Sequence, residues 1–301
     1  MVLYAYTIDK KLKTLISENK LVSDLISKLE NTIIRNRMRE INKDSEEMEF
    51  IIFYENFNNY IFGLMINMGI GNTEEISQNT LNKKQAKLED LNKDAKKDIA
   101  GFKKDMYYFC LKNDKLVLTG GKKKKKNMKS FELYINWLLD LNEDRYIVIP
   151  MISKLKKNTT FNDIRSIELD KVLLNDTRLE DIKKESSKFQ KIFDATKNLK
   201  EEIIKIIAQS NNLTDSEIKN IIDAKIIFTI KNRKSKDMEE IRKTLKIIDT
   251  DYFKIIDNKG REISAENIIE KKDIKVRKTK DNNYIDTNDL KNQMVEYLES
   301  I

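Results

Sequence analysis

The scarcity of proline and glycine constrains this chain more than any other feature. Its 301 residues include one Pro and seven Gly. Chain reversals that elsewhere use Pro to fix φ, or Gly to reach positive φ, must here be made largely by Asn and Asp. Their short polar side chains tolerate the left-handed region and bond the neighbouring backbone. Strands and helices are therefore sought between Asn/Asp clusters.

Read this way, Val2 to Ile8 alternates aromatic and β-branched residues and predicts a strand. Leu21 to Ile34 places Leu21, Val22, Leu25, Ile26, Leu29 and Ile33 at helical spacing. Phe50 to Tyr54 and Tyr60 to Asn67 flank an Asn-rich turn and predict a hairpin. Residues 72–99 are polar, with widely spaced apolar positions, and read as a surface helix or a flexible excursion. Met106 to Leu111 and Lys115 to Leu118 predict a second hairpin turning at Lys112-Asn113-Asp114. Ser130 to Leu141 predicts a helix with Phe131, Leu133, Tyr134, Trp137, Leu138 and Leu141 on its buried side. The single Pro, Pro150, lies in a predicted strand, Tyr146 to Ile152, and favours an edge position or a strand end.

Further strands are predicted within Phe161 to Leu174, Lys225 to Ile230 and Tyr252 to Ile256, the last followed by a turn in which Gly260 supplies a positive φ. Helices are predicted over Leu179 to Ala208, from a capping box at Thr214, over Met238 to Ile248, and from Asp286 to Leu298. Strands and helices mix without a βαβ rhythm, which gives an α+β class with two domains of mixed, largely antiparallel sheet and flanking helices. The expected division is an N-terminal α+β domain, residues 1–144, and a C-terminal α+β domain, 145–301. The apolar stripe near 179–222 is large enough to serve as a helical dimerisation region.

Composition narrows the function. Hydrophobic residues make up 40% of the chain and charged residues 36%, so an ordered core and a densely ionic surface are both expected. There is no His, which excludes His triads, His general bases and His metal ligands. The single Cys110 lies in an apolar run and reads as a buried structural thiol in a reducing compartment. Charged residues from Asp9 to Glu18 interrupt any leader-like stretch, and no run approaches the roughly 20 apolar residues needed to span a bilayer. A cytoplasmic location is expected.

The net charge is +8, and the basic residues are clustered. Lys122, Lys123, Lys124, Lys125 and Lys126 are contiguous and follow Gly120-Gly121. Neighbouring ammonium groups repel one another, and a phosphate backbone is the natural counter-surface because each neutralised phosphate releases counterions. The two glycines would let the backbone and its N–H groups approach a phosphate. Other clusters are Lys154, Lys156, Lys157 and Arg165; then Lys231, Arg233, Lys234 and Lys236; then Lys271, Lys272, Lys275, Arg277, Lys278 and Lys280. Each would bind DNA if loops gather them, and would be solubilising charge if they scatter. No zinc-finger spacing, basic zipper or RNP aromatic motif is present, so binding indifferent to sequence and sensitive to salt is expected.

No phosphate-binding glycine loop, cofactor motif or metal site is evident. Asp215, Asp223 and Lys225 fit a loose nuclease pattern, but Asp215 is better explained as part of a helix start, and a non-catalytic role is expected.

The order of short segments resembles a known family. Tyr60-Ile61-Phe62-Gly63 leads to Leu81 through Leu91, then to Met106-Tyr107-Tyr108-Phe109, Asn113 through Val117, and Phe131 to Leu139. Val148-Ile149-Pro150-Met151, Thr159-Thr160 and Ile222 through Phe228 follow. This arrangement is similar to the RexA-type exclusion proteins of lambda-like prophages, over roughly residues 45–290. The resemblance implies a cytoplasmic homodimer that binds double-stranded DNA with little sequence preference, related in shape to RdgC, a nucleoid protein that encircles duplex DNA. It also implies a small membrane partner of the RexB type and a role in phage exclusion. It carries no catalytic residue. The alternative is a phage-encoded protein inhibitor of a host defence complex, using the same basic surface against an acidic protein or guide RNA.

Overall fold

The computed structural model describes residues 1–10, 20–42, 46–71, 74–91, 98–120, 124–141, 146–151, 164–169, 226–229, 253–257, 259–260, 262–264, 269–279 and 285–301. They form an α+β protein whose strand pairs of known register are all antiparallel. The chain divides into two compact units, Met1–Ile149 with Glu270–Ile301, and Pro150–Ile269. The sequence division at 144/145 assigns 270–301 to the C-terminal domain, whereas the contacts return this segment to the first unit.

The first unit is built on one sheet. Its strands are β1 (Val2–Lys10), β2 (Arg39–Asn42), β3 (Glu47–Phe57), β4 (Tyr60–Gly69), β5 (Glu75–Ser77), β6 (Ile99–Lys112), β7 (Lys115–Thr119), β8 (Tyr146–Pro150) and β13 (Lys271–Asp273). The order is β13-β1-β7-β6-β4-β3-β2, with β5 paired to β6 and β8 paired to β1. The hairpins form because asparagine supplies the left-handed residues: Asn58 and Asn59 at φ +47° and +65° join β3 to β4, and Asn113 at +52° joins β6 to β7. Two consecutive positive φ values match the right-handed twist of the strands they connect.

Strand β4 is buried at nearly every position, and its sequence YIFGLMINMG shows no polar alternation. That pattern belongs to a strand covered on both faces. On one face lies α3 (Lys124–Leu138). Phe109 of β6 packs on Phe131 of α3 with ring centroids 5.1 Å apart. Gly63 makes room for the Phe109 ring, since a Cβ there would stand 2.5 Å from it. On the other face lies α4 (Thr287–Ser300), burying Leu290, Met294, Tyr297 and Leu298. Asp286 caps α4 by accepting from the N–H groups of Asn288 and Asp289. Lys291–Glu55 and Lys112–Glu299 contacts, both 2.6 Å, tie α4 to the sheet.

Several expectations shift. The predicted Leu21 to Ile34 helix is a shorter α1 (Leu21–Glu30), followed by a 3-10 turn at Ile34–Arg37. The helix stops because side chains occupy its last carbonyls. Asn31 Nδ2 donates to Ser27 O at 2.8 Å, Thr32 Oγ1 to Lys28 O at 2.7 Å, and Arg37 Nη1 to Leu29 O at 3.2 Å. The polar stretch 72–99 contributes β5, the one-turn helix α2 (Gln78–Leu81) and a 3-10 turn at Leu88–Asp90. Pro150 ends β8, where its missing N–H costs nothing.

In the second unit, β9 (Ile164–Leu169), β10 (Ile226–Thr229), β11 (Phe253–Asp257) and β12 (Glu262–Ser264) form an antiparallel sheet in the order β10-β9-β11-β12. Gly260 takes φ +74° in the β11–β12 connection, as its position in the turn predicts. The helices predicted over 179–208, from Thr214 and over 238–248 lie outside the described residues, as does the nuclease-like Asp215, Asp223 and Lys225 set.

Candidate nucleic-acid interface

Strand register brings two of the basic clusters to one end of the first sheet. Leu3 of β1 stands between Thr119 of β7 and Lys272 of β13, and Val2 stands beside Asp273. Gly120 N–H donates to Val2 O at 2.9 Å, and the Met1 ammonium donates to Ile274 O at 2.9 Å. Neighbouring strands lie about 4.8 Å apart, so the ends of β7 and β13 are about 10 Å apart across β1. From one of these ends the chain enters the lysine run. From the other it enters Ile274-Lys275-Val276-Arg277-Lys278.

The lysine run is not a loop throughout. Lys124, Lys125 and Lys126 form the first turn of α3, while Lys122 and Lys123 lie outside the described residues. Lysine is a good helix former, and α3 is anchored just after the run by buried Met128 and by Asn127 Nδ2 donating to Thr119 O at 3.2 Å. Cations in a first helical turn oppose the helix dipole by roughly 0.3–1 kcal/mol each. An anion at this end would relieve both that opposition and the mutual repulsion of the lysines. The proposed role of Gly120 needs correction. Its N–H is taken by Val2 O, and its missing Cβ makes room for the Tyr4 ring, 2.8 Å from where that atom would stand.

The 275–278 segment is held in place by the start of α4. Asp289 Oδ2 accepts from Arg277 N at 2.8 Å, Asp286 N donates to Arg277 O at 2.9 Å, and Gln293 Nε2 donates to Lys275 O at 3.0 Å. Lys272 lies 3.7 Å from Glu296, and Arg277 lies 4.0 Å from Asp289. Lys275 and Lys278 are exposed and make no ion pair among the described residues.

Arg165 belongs to β9 of the second unit. Lys154, Lys156, Lys157, Lys231, Arg233, Lys234, Lys236 and Lys280 lie outside the described residues.

Helix α3 is fixed on its sheet by a buried polar set. Ser130 Oγ donates to Glu49, which also pairs with Arg39 at 2.8 Å, and Tyr107 Oη donates to Ser130 Oγ at 3.3 Å. Burial pushes the Glu49 carboxyl above its ordinary range, against the opposing pull of Ser130 and Arg39. Tyr134 Oη donates to Arg37 O at 2.9 Å and accepts from Ile51 N at 3.2 Å. Glu132 accepts from Val148 N, and Asn136 bonds both backbone groups of Tyr146. These groups are spent on docking the helix, and Glu49, Tyr107, Glu132, Tyr134 and Asn136 among them are buried. Burial pushes the Cys110 thiol up to about 12, which keeps it protonated and unreactive.

The buried residues of α3 are Asn127, Met128, Phe131, Glu132, Tyr134, Ile135, Asn136 and Leu138. Leu133 and Trp137, predicted on the buried side, are 42% and 44% exposed. Spacing alone does not separate them, since a step of three from buried Tyr134 leads to Trp137 and a step of four leads to Leu138.

Comparison with protein-family models, with curated proteins and with solved structures finds no match to this chain. Among the described residues, no group of three or more acidic or cysteine side chains is placed to hold a metal ion. Among them, no helix is long and apolar enough to cross a membrane.

Proposed function

We propose that this protein binds double-stranded DNA non-catalytically through Lys and Arg contacts to phosphate, with little reading of sequence. The observation that supports this most is the common sheet end shared by the lysine run and by Lys275, Arg277 and Lys278. There the chain concentrates cations, and part of them lack carboxylate partners among the described residues. Cations carried by segments that leave neighbouring strand ends suit a phosphate backbone better than the same charges dispersed.

The wider reading is a cytoplasmic homodimer acting in phage exclusion for a prophage, with a small membrane partner of the RexB type. It rests on the segment resemblance to the RexA-type proteins. Pairing of two chains would double the cationic surface and strengthen phosphate binding by avidity.

Mobility shift of a duplex of arbitrary sequence over a series of salt concentrations tests the binding. The logarithm of affinity should fall linearly with the logarithm of salt, with a slope of about −0.9 per phosphate neutralised. Replacing Lys122–Lys126 with Gln should reduce that slope, and so should replacing Lys275, Arg277 and Lys278. Absence of a shift at low salt would remove the proposal and favour a protein partner. Nicking of plasmid in the presence of Mg²⁺ would remove its non-catalytic part.

A further inference from the structure

The outer side of α3 carries an unusual sequence of chemistries. Helical spacing aligns positions 125, 126, 129, 133 and 137 along one side of the helix. That side begins at the helical positions of Lys125 and Lys126, continues through Lys129, which pairs with Glu132 at 3.2 Å, and ends with Leu133 and Trp137, both more than two-fifths exposed. Trp137 is the only tryptophan in the chain. Its ring lies 5.9 Å from that of Tyr134 at an interplanar angle of 42°, so a buried neighbour steadies the indole while much of it remains open. From the first lysine turn to Trp137 the helix rises about 20 Å.

An exposed Leu–Trp pair is costly on a surface otherwise dense in charge, and the lysines beside it select its occupant. An apolar protein face would bring no anions to the lysine end. A duplex would present phosphates there but keep its bases stacked away from the indole. A single strand offers both an anionic backbone and unstacked flat rings. We infer that the outer side of α3 is a binding track for single-stranded nucleic acid, with the lysines holding phosphates and Trp137, flanked by Leu133, stacking on an unpaired base. This rests on the nucleic-acid reading above and extends it to strands opened from the duplex. Stacking tolerates any base, since every base has a π-face.

The sole tryptophan makes the test direct. The full chain is titrated with oligothymidylate and with a duplex of the same length while indole emission is followed. The single strand should quench emission, and the duplex should bind without comparable quenching. Trp137→Ala should weaken single-strand binding about tenfold and leave duplex affinity unchanged, and Trp137→Phe should restore most of the loss. Both substitutions fall at an exposed position, and an unchanged melting curve verifies that the fold is kept.

Single-strand binding without quenching, or an equal loss for both nucleic acids in Trp137→Ala, would overturn the track while leaving duplex binding intact. Failure of both nucleic acids to bind would overturn the broader reading as well. An emission change on concentrating the protein alone would assign this side to a second copy of the chain. A change only with phosphatidylserine vesicles would assign it to a membrane surface. Either result would overturn the proposal.

Discussion

Arg37 shows how one side chain holds several elements of this protein together. It is fully buried and pairs with no carboxylate among the described residues; its guanidinium donates instead to Ile51 O at 2.8 Å, Leu29 O at 3.2 Å and Lys84 O at 2.6 Å, with Tyr54 5.6 Å below it. Burial holds its pKa below the ordinary value, yet an arginine in a protein stays charged. It thereby joins the end of α1, strand β3 and the segment after α2. Arg37→Met would remove the donor from two buried carbonyls and one part-buried carbonyl, and urea denaturation should show a loss of about 3 kcal/mol or more. Arg37→Lys should recover little, because an ammonium cannot reproduce the planar fork. Glu49 gives a second residue-scale expectation. Its folded-state carboxyl titrates above the ordinary value of 4.5, so the folded chain holds that proton more tightly than the unfolded chain does. The stability this contributes is full below the unfolded value and is lost as pH rises through the raised one. Relative to Glu49→Gln, the native protein should therefore lose stability as pH rises above the ordinary value of 4.5, measured by urea midpoints at each pH. Parallel pH profiles for the two proteins would contradict this.

At the scale of elements, the hairpins and the helix ends carry the argument. The turns were legible because asparagine was the residue available to take positive φ, and it occupies Asn58, Asn59 and Asn113. Asn59→Gly should be neutral or mildly stabilising, whereas Asn59→Val should cost about 1–2 kcal/mol, since a β-branched side chain resists the left-handed region. Nothing in the local sequence marks Gly63 as a packing position. Its role depends on the Phe109 ring of the neighbouring strand, so Gly63→Ala should destabilise by about 1–3 kcal/mol through overpacking. Thermal melts of the two series distinguish these causes, because Gly63→Ala disturbs the core and Asn59→Val only the turn. Helix α3 was found in the sequence, but its start was placed late and its exposed side misjudged. Lysines have no apolar spacing to mark a first turn, and an apolar residue on an outward side looks the same in sequence as one turned inward.

For the whole molecule, the decisive contact joins the two ends of the first unit. β13 pairs with β1, and α4 covers the face that carries Phe53, Leu64 and Tyr108, with Ile285 and Thr287 closing a small cavity against them. Truncation before Ile285 should expose that face and abolish cooperative unfolding of the first sheet, read by near-ultraviolet circular dichroism during a melt. The candidate interface has the same origin, since the strand ends that lead into the lysine run and into Lys275 are far apart in the chain and come to one end of the sheet only across β1. What the sequence determined alone was local: the antiparallel hairpins with asparagine turns, the α+β class, the final helix and the clustering of positive charge. Those features depend on side-chain spacing and backbone preference within a few residues. Tertiary structure decided which sheet the final helix covers, which side of α3 faces water and which basic segments share an end. Each of these follows from strand pairings over long separations, whose partners are selected by packing and register that no local stretch encodes.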